Sequence, residues 1–262
     1  MCFLYKKANN PLHIAVIDNN ISVIQELAHN DEFILERNEI GLTPVELAQF
    51  LLRKEALTVF QMKDQRPIKI IFADEKETKL LSSDEMDRAF DMIFTRHLFF
   101  PNYDILKQTI NSLPFTYEKN NFLGRLFECE IITGFCADVK IRWVDNILGY
   151  GVFADEDLEK DSFVGEYVGI VRPLCRIYSK ENEYCFHYPT KFWSMEYLVI
   201  DSLKVGNELR FVNHSDIPNL VPNCMTIRSL IHIVLMTTRK IKKGEQLTFD
   251  YGEDYWKRRQ KI

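Results

Sequence analysis

The sequence predicts an α+β protein with a helical first half and a β-rich second half. Nine of the ten glycines of this 262-residue chain lie at or after Gly124, and glycine favours turns over helix interiors. The first half carries apolar residues at helical spacing behind Asn, Thr and Ser residues that can cap helices. From about Asp138, short β-branched and aromatic runs alternate with Gly, Asn, Asp and Pro, which indicates short strands.

Composition narrows the class of protein. With 46% hydrophobic and 13% aromatic residues, the chain can bury a core and is not expected to be disordered. No apolar run reaches the length of a membrane span, and "MCFLYKKANN" has the wrong order for a secretory signal. Six cysteines without a C-x-x-C pair predict reduced thiols in a cytosolic-type compartment. A net charge of −5 argues against general nucleic-acid binding and suits a basic peptide substrate.

Two similar segments open the helical half. "PLHIAVIDNN" (11–20) and "TPVELAQFLL" (43–52) each follow an Asn-Pro or Thr-Pro entry, and Ala15 and Ala48 stand 33 residues apart. This period resembles the ankyrin repeat, with less than two units present, and the resemblance implies a protein-binding region within residues 1–60. Two unrelated amphipathic helical hairpins are the alternative.

Residues 61–136 are expected to form a helical connecting region without chemistry. We expect a strand-like stretch and a charged loop at 62–80, a helix capped by Ser83, and two further helices at 101–113 and 116–132. The apolar stripe behind Ser83 is expected to serve packing alone, and it comprises Met86, Phe90, Ile93 and Phe94.

Four motifs follow one another in the second half: "GYGVFA" (149–154), "GEYVG" (165–169), "GNELRFVNHSDIPN" (206–219) and "GEQLTFDYG" (244–252). Together they resemble the SET domain of protein lysine methyltransferases, over roughly residues 138–256. The resemblance implies a catalytic domain at 137–262 with a β-clip and a knot-like crossing near its C-terminal end. An irregular insert is expected at about 172–196.

The resemblance implies that S-adenosyl-L-methionine is the cofactor. Two glycines without Cβ atoms would let the backbone approach the ligand, and the ligand and the chain crossing would satisfy the polar run "NHS". No acid–base role is expected for the His214 imidazole. Arg210 also matches the family, with a scaffold role as the alternative. The residues assigned to cofactor binding are Gly149, Tyr150, Gly151, Tyr184, Arg210, Asn213 and His214.

Tyr251 in "FDYG" matches the active-site tyrosine of the family, and Tyr167 matches an aromatic residue of its lysine channel. From residue type alone, Tyr251 would be an ordinary strand tyrosine. Phe249 lies where Phe or Tyr influences the number of methyl groups added, and Phe favours di- or trimethylation. The buried polar matches are expected to be scaffold residues, and they are Glu166, Asp201, Asn207 and Asp250.

The chemistry fits such a site. A lysine has a pKa near ~10.4, so making its amine neutral at pH 7 costs about 4–5 kcal/mol. An aromatic channel desolvates the ammonium, and a sulfonium repels it, so both lower its pKa. Positioning and electrostatics then carry most of the rate, and neither a metal nor an acidic dyad is needed.

Three positions depart from the family pattern. Asp216 stands where many members have a zinc-binding Cys, and the tail "EDYWKRRQKI" contains no cysteine, so we predict no structural metal. Trp256 either closes the channel in place of the zinc loop or serves packing. Asp161 replaces a common glycine and is interpreted as a variation of a turn.

The sequence therefore predicts a protein-lysine N-methyltransferase that acts on a lysine in a basic segment, with a histone tail as the first candidate. A non-histone substrate and a catalytically inactive binding module are the alternatives. We expect a cytoplasmic or nuclear location, without membrane or nucleic-acid partners. Ankyrin-like units beside a compact, zinc-free SET domain would suit a bacterial effector that is secreted into a host cell and acts on chromatin. The basic "KRR" near the end would then aid nuclear entry, with a solvated tail as the alternative.

Overall fold

The computed structural model of the chain describes residues 8–62, 66–114, 121–174, 182–191 and 197–257. Helices predominate before residue 133 and strands after it, so the α+β prediction is confirmed. None of the helices in these ranges combines the length and the apolar character that crossing a bilayer requires.

Five short helices form the N-terminal region: α1 (Pro11–Ile17), α2 (Ile21–Leu27), α3 (Asp31–Leu35), α4 (Pro44–Phe50) and α5 (Lys54–Val59). Helix α1 packs against α2 and α4, while α5 packs against α2 and α4, so two similar helical pairs lie side by side. Thr43 caps α4 as expected, because its side chain accepts from the Glu46 N–H while Glu46 accepts from the Thr43 N–H. The small Ala15 and Ala48 are both buried where the pairs meet.

The connecting region contains β1 (Ile68–Ile71), β2 (Lys79–Leu81), α6 (Ser83–Phe90), β3 (Ile93–Phe94), α7 (Tyr103–Asn111), α8 (Asn121–Leu126) and α9 (Glu128–Ile132). The cap of α6 is Ser82 rather than Ser83, since the Ser82 hydroxyl accepts from the Glu85 N–H. Helix α6 ends at Phe90 because Asp91 takes a left-handed conformation with φ of 48°. Ile93 is exposed on β3, so the predicted apolar stripe is wrong at that position.

The last two helices of this region also differ from expectation. The single helix predicted over 116–132 is divided into α8 and α9, and residues 115–120 lie outside the described residues. In α8, a Cβ at Gly124 would stand 2.5 Å from the Thr226 carbonyl oxygen, so glycine permits close packing against the neighbouring strand.

The second half contributes eleven strands to the described structure: β4 (Val139–Asp145), β5 (Gly149–Ala154), β6 (Phe163–Glu166), β7 (Ile170–Pro173), β8 (Cys185–Tyr188), β9 (Leu198–Asp201), β10 (Val205–Gly206), β11 (Asn213–His214), β12 (Leu220–Ile227), β13 (Leu230–Thr237) and β14 (Gln246–Phe249). A 3-10 helix (Glu208–Phe211) precedes β11, and helix α10 (Glu253–Trp256) follows β14. The sheet orders are β11-β14-β5-β4-β1-β2, β12-β13-β6, β7-β9-β8 and β10-β3.

Five of these eleven strands were not predicted, namely β7, β8, β10, β11 and β12. Strand β8 lies inside the segment interpreted as an irregular insert, where it pairs antiparallel with β9. Strand β12 was missed because its hairpin with β13 turns at Arg228 and Ser229, with φ of 53° and 59°. Such turns usually contain Asn or Gly, so the sequence gives no turn signal there. Asp161 also takes a positive φ of 62°, which supports its interpretation as a turn variation.

The connecting region completes the sheets of the second half. Strand β1 pairs parallel with β4, and β3 pairs parallel with β10. The ring of Phe50, at the end of α4, lies 5.9 Å from the Phe100 ring and 6.5 Å from the His232 ring on β13. One hydrophobic core therefore runs from the N-terminal helices into the β-rich half.

A charged cluster joins β1, β4 and the end of β5, and it gives a prediction on pH dependence. The Asp155 carboxylate lies 2.7 Å from Lys69 Nζ and 2.9 Å from Lys140 Nζ, which holds the pKa of Asp155 far below its ordinary value. Because the pKa of Asp155 is lower in the folded than in the unfolded chain, its ionised carboxylate stabilises the folded protein above the unfolded pKa of about 3.9. This stabilisation is lost as the pH falls below that value toward the folded pKa. Asp155→Asn should cost about 1 kcal/mol at pH 7. The difference in melting temperature from wild type should shrink below about pH 4; a constant difference from pH 7 to pH 3 would contradict this.

Candidate active site

Two distant stretches of chain cross next to a cleft. Strand β11 pairs parallel with β14, so that Asn213 stands opposite Thr248 and His214 opposite Phe249. The Asn219 side chain fixes this crossing, because its Nδ2 donates to the Gln246 carbonyl at 2.8 Å and its Oδ1 accepts from the Thr248 N–H at 2.9 Å. The predicted meeting of the "NHS" and "DYG" segments is therefore present.

The cleft beside the crossing has a volume of about 910 Å³. Nine of the ten predicted site residues line it, and only Gly151 does not. The nine are Gly149, Tyr150, Tyr167, Tyr184, Arg210, Asn213, His214, Phe249 and Tyr251.

Gly151 lies one layer behind the cleft wall. A Cβ at this position would stand 2.6 Å from Gln246 Nε2 and 3.2 Å from Asn213 Nδ2. The glycine thus permits close packing of β5 against the crossing, and Asn213 Nδ2 can donate to the Tyr150 carbonyl at 3.2 Å. Gly149, by contrast, takes a φ of +69° and has open space where a Cβ would be.

Tyr251 is held by two hydrogen bonds at the crossing. Its hydroxyl donates to the Val212 carbonyl at 2.8 Å, and its N–H donates to His214 Nδ1 at 3.2 Å. Burial raises the pKa of the Tyr251 hydroxyl well above its ordinary value, so the group stays protonated. Because His214 Nδ1 accepts, its proton lies on Nε2, which can donate to Asp216 Oδ1 at 3.3 Å. The imidazole therefore orients the Tyr251 backbone.

Tyr167 and Tyr251 belong to a cluster of aromatic rings. The buried Tyr167 hydroxyl donates to the Tyr184 carbonyl at 2.8 Å, and burial raises its pKa. The Phe186 ring lies 5.5 Å from the Tyr167 ring and stacks on Phe249 at 6.0 Å, while Phe249 lies 4.8 Å from Tyr251. The cluster forms an apolar wall that bears tyrosine hydroxyls.

Helix α10 covers Tyr251 with two further rings. The Trp256 ring is nearly parallel to that of Tyr251, at 6.2 Å and 12°, and meets the His214 ring edge-on at 4.8 Å. The Tyr255 ring lies 4.6 Å from that of Tyr251. Trp256 also lines the cleft, so the two alternatives for this residue, packing and closing the site, do not exclude each other.

Arg210 is a half-buried cation at the cleft. Its guanidinium lies 4.4 Å from the centre of the Tyr184 ring and 5.0 Å from that of Phe211. Its Nη1 contacts the Met92 sulfur at 3.0 Å, while its Nε is buried without a hydrogen-bond partner. Burial lowers the pKa of Arg210, although a guanidinium remains charged at neutral pH. Within the described ranges, no carboxylate forms an ion pair with it.

The other polar matches have structural contacts. Glu166 is buried and its carboxylate lies 2.6 Å from His232 Nδ1, while Asn207 Nδ2 donates to the Glu166 carbonyl at 2.8 Å. Asp201 pairs with Arg172 at 2.7 Å. Asp250 was also predicted to be a buried scaffold residue, which is wrong, because 62% of its side chain is exposed and it accepts from the Gly252 N–H.

Several residues that line the cleft were missed from the sequence. Phe186 lies on β8, within the supposed irregular insert, and the aromatic residues of "EYCFHY" were its only signal. Phe90 reaches the cleft from helix α6, although it was interpreted as a packing residue. The loop of Asn146, Ile147 and Leu148 completes the rim before Gly149.

Comparison with known proteins agrees with this geometry. Residues 149–252 match the family model of the SET domain. Over 200 residues the chain is 28% identical to human "Histone-lysine N-methyltransferase 2D". This match covers 71% of this chain and 3% of that protein. Over 109 residues it is 39% identical to "Putative histone-lysine N-methyltransferase ASHH4" of Arabidopsis thaliana. This second match covers 39% of this chain and 30% of that protein.

A solved structure supports the fold. The crystal structure of ATXR5 in complex with histone H3.1 mono-methylated on R26 gives a TM-score of 0.52 at 20% identity, over 65% of this chain and 85% of that chain. The two sequence relatives named above are much longer proteins, and this chain spans 3% of the first and 30% of the second.

SET-domain methyltransferases use S-adenosylmethionine, and the cleft residues fit that group. Its amino-acid end carries a carboxylate, and Arg210 is a half-buried cation whose Nε is buried without a hydrogen-bond partner. Trp256 Nε1 is likewise buried without a partner. The flat adenine ring suits a cleft with several aromatic side chains.

Proposed function

We propose that this protein is an S-adenosylmethionine-dependent protein-lysine N-methyltransferase, with a histone as its substrate. The observation that carries the proposal is the hydroxyl of the partly buried Tyr251, which donates to the Val212 carbonyl beside Asn213 in an aromatic cleft. The SET-domain match and relatives that are named histone-lysine N-methyltransferases support it.

The mechanism follows from the residues of the cleft. Arg210, Asn213 and the backbone around Tyr150 would hold the cofactor, which supplies an electrophilic methyl group when bound. A lysine side chain between Tyr167 and Tyr251 would be desolvated, which lowers its pKa and favours the neutral, nucleophilic amine. Because the Tyr251 proton is donated to Val212, its oxygen lone pairs remain available to orient the substrate nitrogen.

The test is methyl transfer by the purified full chain. It would be incubated with methyl-labelled cofactor and core histones, and mass spectrometry would locate the label. We expect label on a lysine Nζ. Label on a non-histone protein but not on histones would favour the second candidate substrate class. Cofactor binding without transfer to a broad protein panel would favour the inactive binding module.

Phe249 gives a prediction on product multiplicity. Its ring stacks on Phe186 and lies against Tyr251, and it brings no hydroxyl that could hold a water in the channel. Phe249→Tyr should shift the main product from di- or trimethyl-lysine to monomethyl-lysine, with the first transfer slowed less than about tenfold. Mass spectrometry of one peptide over a time course measures this. Phe135→Tyr, on the exposed Phe135 outside the cleft, is the control, and an unchanged product in Phe249→Tyr would contradict the assignment.

We also propose that the N-terminal helices are ankyrin-like units that bind a protein partner. The sequence "NPLHIA" at 10–15 follows the ankyrin pattern T-P-L-H-x-A except at its first residue. Helix α1 begins with a capping box of Asn10 and His13 and with a proline in its first turn. Helix α4, 33 residues later, repeats both features with Thr43 and Glu46. Loss of partner capture on substituting the exposed Leu35 by Asp, with methyl transfer to histones retained, would support this role.

We propose that the protein acts in a nucleus. A histone substrate would require access to a nucleus, as expected for a nuclear protein or for a bacterial effector that enters a host cell. The basic run suggested as an entry signal begins at Lys257, and its arginines lie outside the described residues. Fluorescence microscopy of the tagged chain in a eukaryotic cell tests it, since exclusion from the nucleus would contradict the proposal.

A further inference from the structure

Residues 90–96 precede the matched SET domain by more than fifty residues, yet Phe90 from this segment lines the cleft. We propose that this segment is a built part of the cofactor site, in which Phe90 walls the cleft and Met92 positions Arg210 for the carboxylate end of the cofactor. The inference rests on the proposed function, because it assumes that the cleft binds S-adenosylmethionine.

Phe90 supplies a wall of the cleft. Its ring meets the Tyr150 ring edge-on at 5.1 Å and lies 4.9 Å from the Phe211 ring. Tyr150 and Phe211 belong to the two motifs that border the cleft, and Phe90 bridges them from outside the matched domain. Because its ring is only partly buried, replacing it by a small side chain would admit water to this side of the cleft.

Met92 acts on Arg210 directly. It is 4% exposed, and its sulfur lies 3.0 Å from Arg210 Nη1. A thioether is a weak acceptor, so it can hold the guanidinium without neutralising its charge. Tyr184 and Glu183 also interact with the guanidinium, but no carboxylate of the described residues forms an ion pair with it. Arg210 Nε is buried without a hydrogen-bond partner, so an anionic ligand group can bind there. The carboxylate of the cofactor can both balance the charge of the guanidinium and accept a hydrogen bond from Arg210 Nε.

The segment is fixed along its length to the strand and 3-10 helix that carry Arg210. The Ile93 N–H donates to the Lys204 carbonyl at 2.8 Å, and the Thr95 N–H donates to the Gly206 carbonyl at 2.9 Å. Arg96 Nη1 then contacts both oxygens of Glu208, at 2.8 and 3.0 Å, and the two side chains are only 5% and 7% exposed. Phe90 and Met92 are therefore held in register with Arg210.

The test compares two ligands by calorimetry. S-adenosylhomocysteine carries the amino-acid end, whereas methylthioadenosine lacks it. Phe90→Ala should raise the Kd for S-adenosylhomocysteine at least tenfold, and Phe90→Leu should recover much of the affinity. Met92→Leu keeps the volume and removes the sulfur. It should raise the Kd for S-adenosylhomocysteine about three- to tenfold and leave the Kd for methylthioadenosine within a factor of two.

The matched control is Phe127→Ala, since Phe127 is also half-buried and packs on Phe163 away from the cleft. It should lower thermal stability but leave both Kd values unchanged. In turnover, Met92→Leu should raise the KM for cofactor and leave the KM for the peptide unchanged, a split that a general loss of stability would not produce.

The outcomes separate the two proposals. If wild type binds neither ligand, the proposed function fails. If wild type binds S-adenosylhomocysteine and neither Phe90→Ala nor Met92→Leu weakens it, the segment has no role in the site. If Met92→Leu raised the Kd for both ligands by the same factor, the assignment of Met92 and Arg210 to the carboxylate end would be overturned. If Phe90→Ala does not fold, Phe90→Leu and Met92→Leu still decide the question.

Discussion

Tyr251→Phe should reduce methyl transfer by at least about 100-fold while leaving cofactor binding within a factor of two. The substitution removes only the hydroxyl that donates to the Val212 carbonyl, and the ring keeps its contacts with Phe249 and Trp256. Because burial raises the pKa of this hydroxyl, it acts as an oriented neutral group and not as a base. The pH–rate profile of wild type should therefore show no tyrosine ionisation between pH 6 and about 9.

Single-turnover rates and calorimetry measure the two effects separately. Tyr103→Phe is the matched control, because the Tyr103 hydroxyl contacts Asn9 Nδ2 at 3.3 Å and does not line the cleft. It should keep full activity. Retention of more than a tenth of the wild-type rate by Tyr251→Phe, with all variants folded, would remove Tyr251 from the proposed mechanism.

Glu208→Ala should be the most destabilising of the charge substitutions considered, at about 3–5 kcal/mol of unfolding free energy. Glu208 and Arg96 form a buried pair with both carboxylate oxygens engaged, so removing Glu208 takes these two contacts from a buried guanidinium. The double variant Arg96→Met, Glu208→Leu removes both charges, and it should recover most of the loss. Urea unfolding followed by circular dichroism measures both variants.

The exposed pair of Lys242 and Asp157 provides the comparison. The two groups lie 2.7 Å apart at the surface, and Asp157→Ala should leave the urea midpoint nearly unchanged. If Glu208→Ala unfolds at the wild-type urea concentration, the pair contributes little. A double variant no more stable than Glu208→Ala would show that the packing of these side chains matters more than the buried charge.

Local signals in the sequence predicted much of the fold. Thr43 and Pro44 mark the start of α4 because a cap and a proline act within one helical turn. The end of α6 carries no such signal, since Asp91 takes a left-handed conformation that favours glycine. The turn at Arg228 was missed for the same reason. Its strained backbone is accompanied by ion pairs from Arg228 to Glu46 and Glu128, which are distant in sequence.

In the candidate site, too, residues in short motifs were predicted, whereas residues placed by distant contacts were misassigned or missed. Tyr251 and Asn213 were found because their motifs are short and contiguous. Gly151 was assigned to the cofactor, but its missing Cβ is needed by Gln246 and Asn213, a contact that only the folded crossing creates. Phe90 has the spacing of a core residue, and its place on the cleft depends on β3 pairing with β10, more than a hundred residues away.

The parallel pairing of β1 with β4 sets a limit on how the chain can be shortened. A fragment cut at residue 137, where the sequence suggests a boundary, would keep β4 but lose its neighbour. The bare N–H and C=O groups of that strand would then be free to recruit a strand from another molecule. Such a fragment should precipitate or associate during purification, and a soluble catalytic fragment must begin ahead of Ile68.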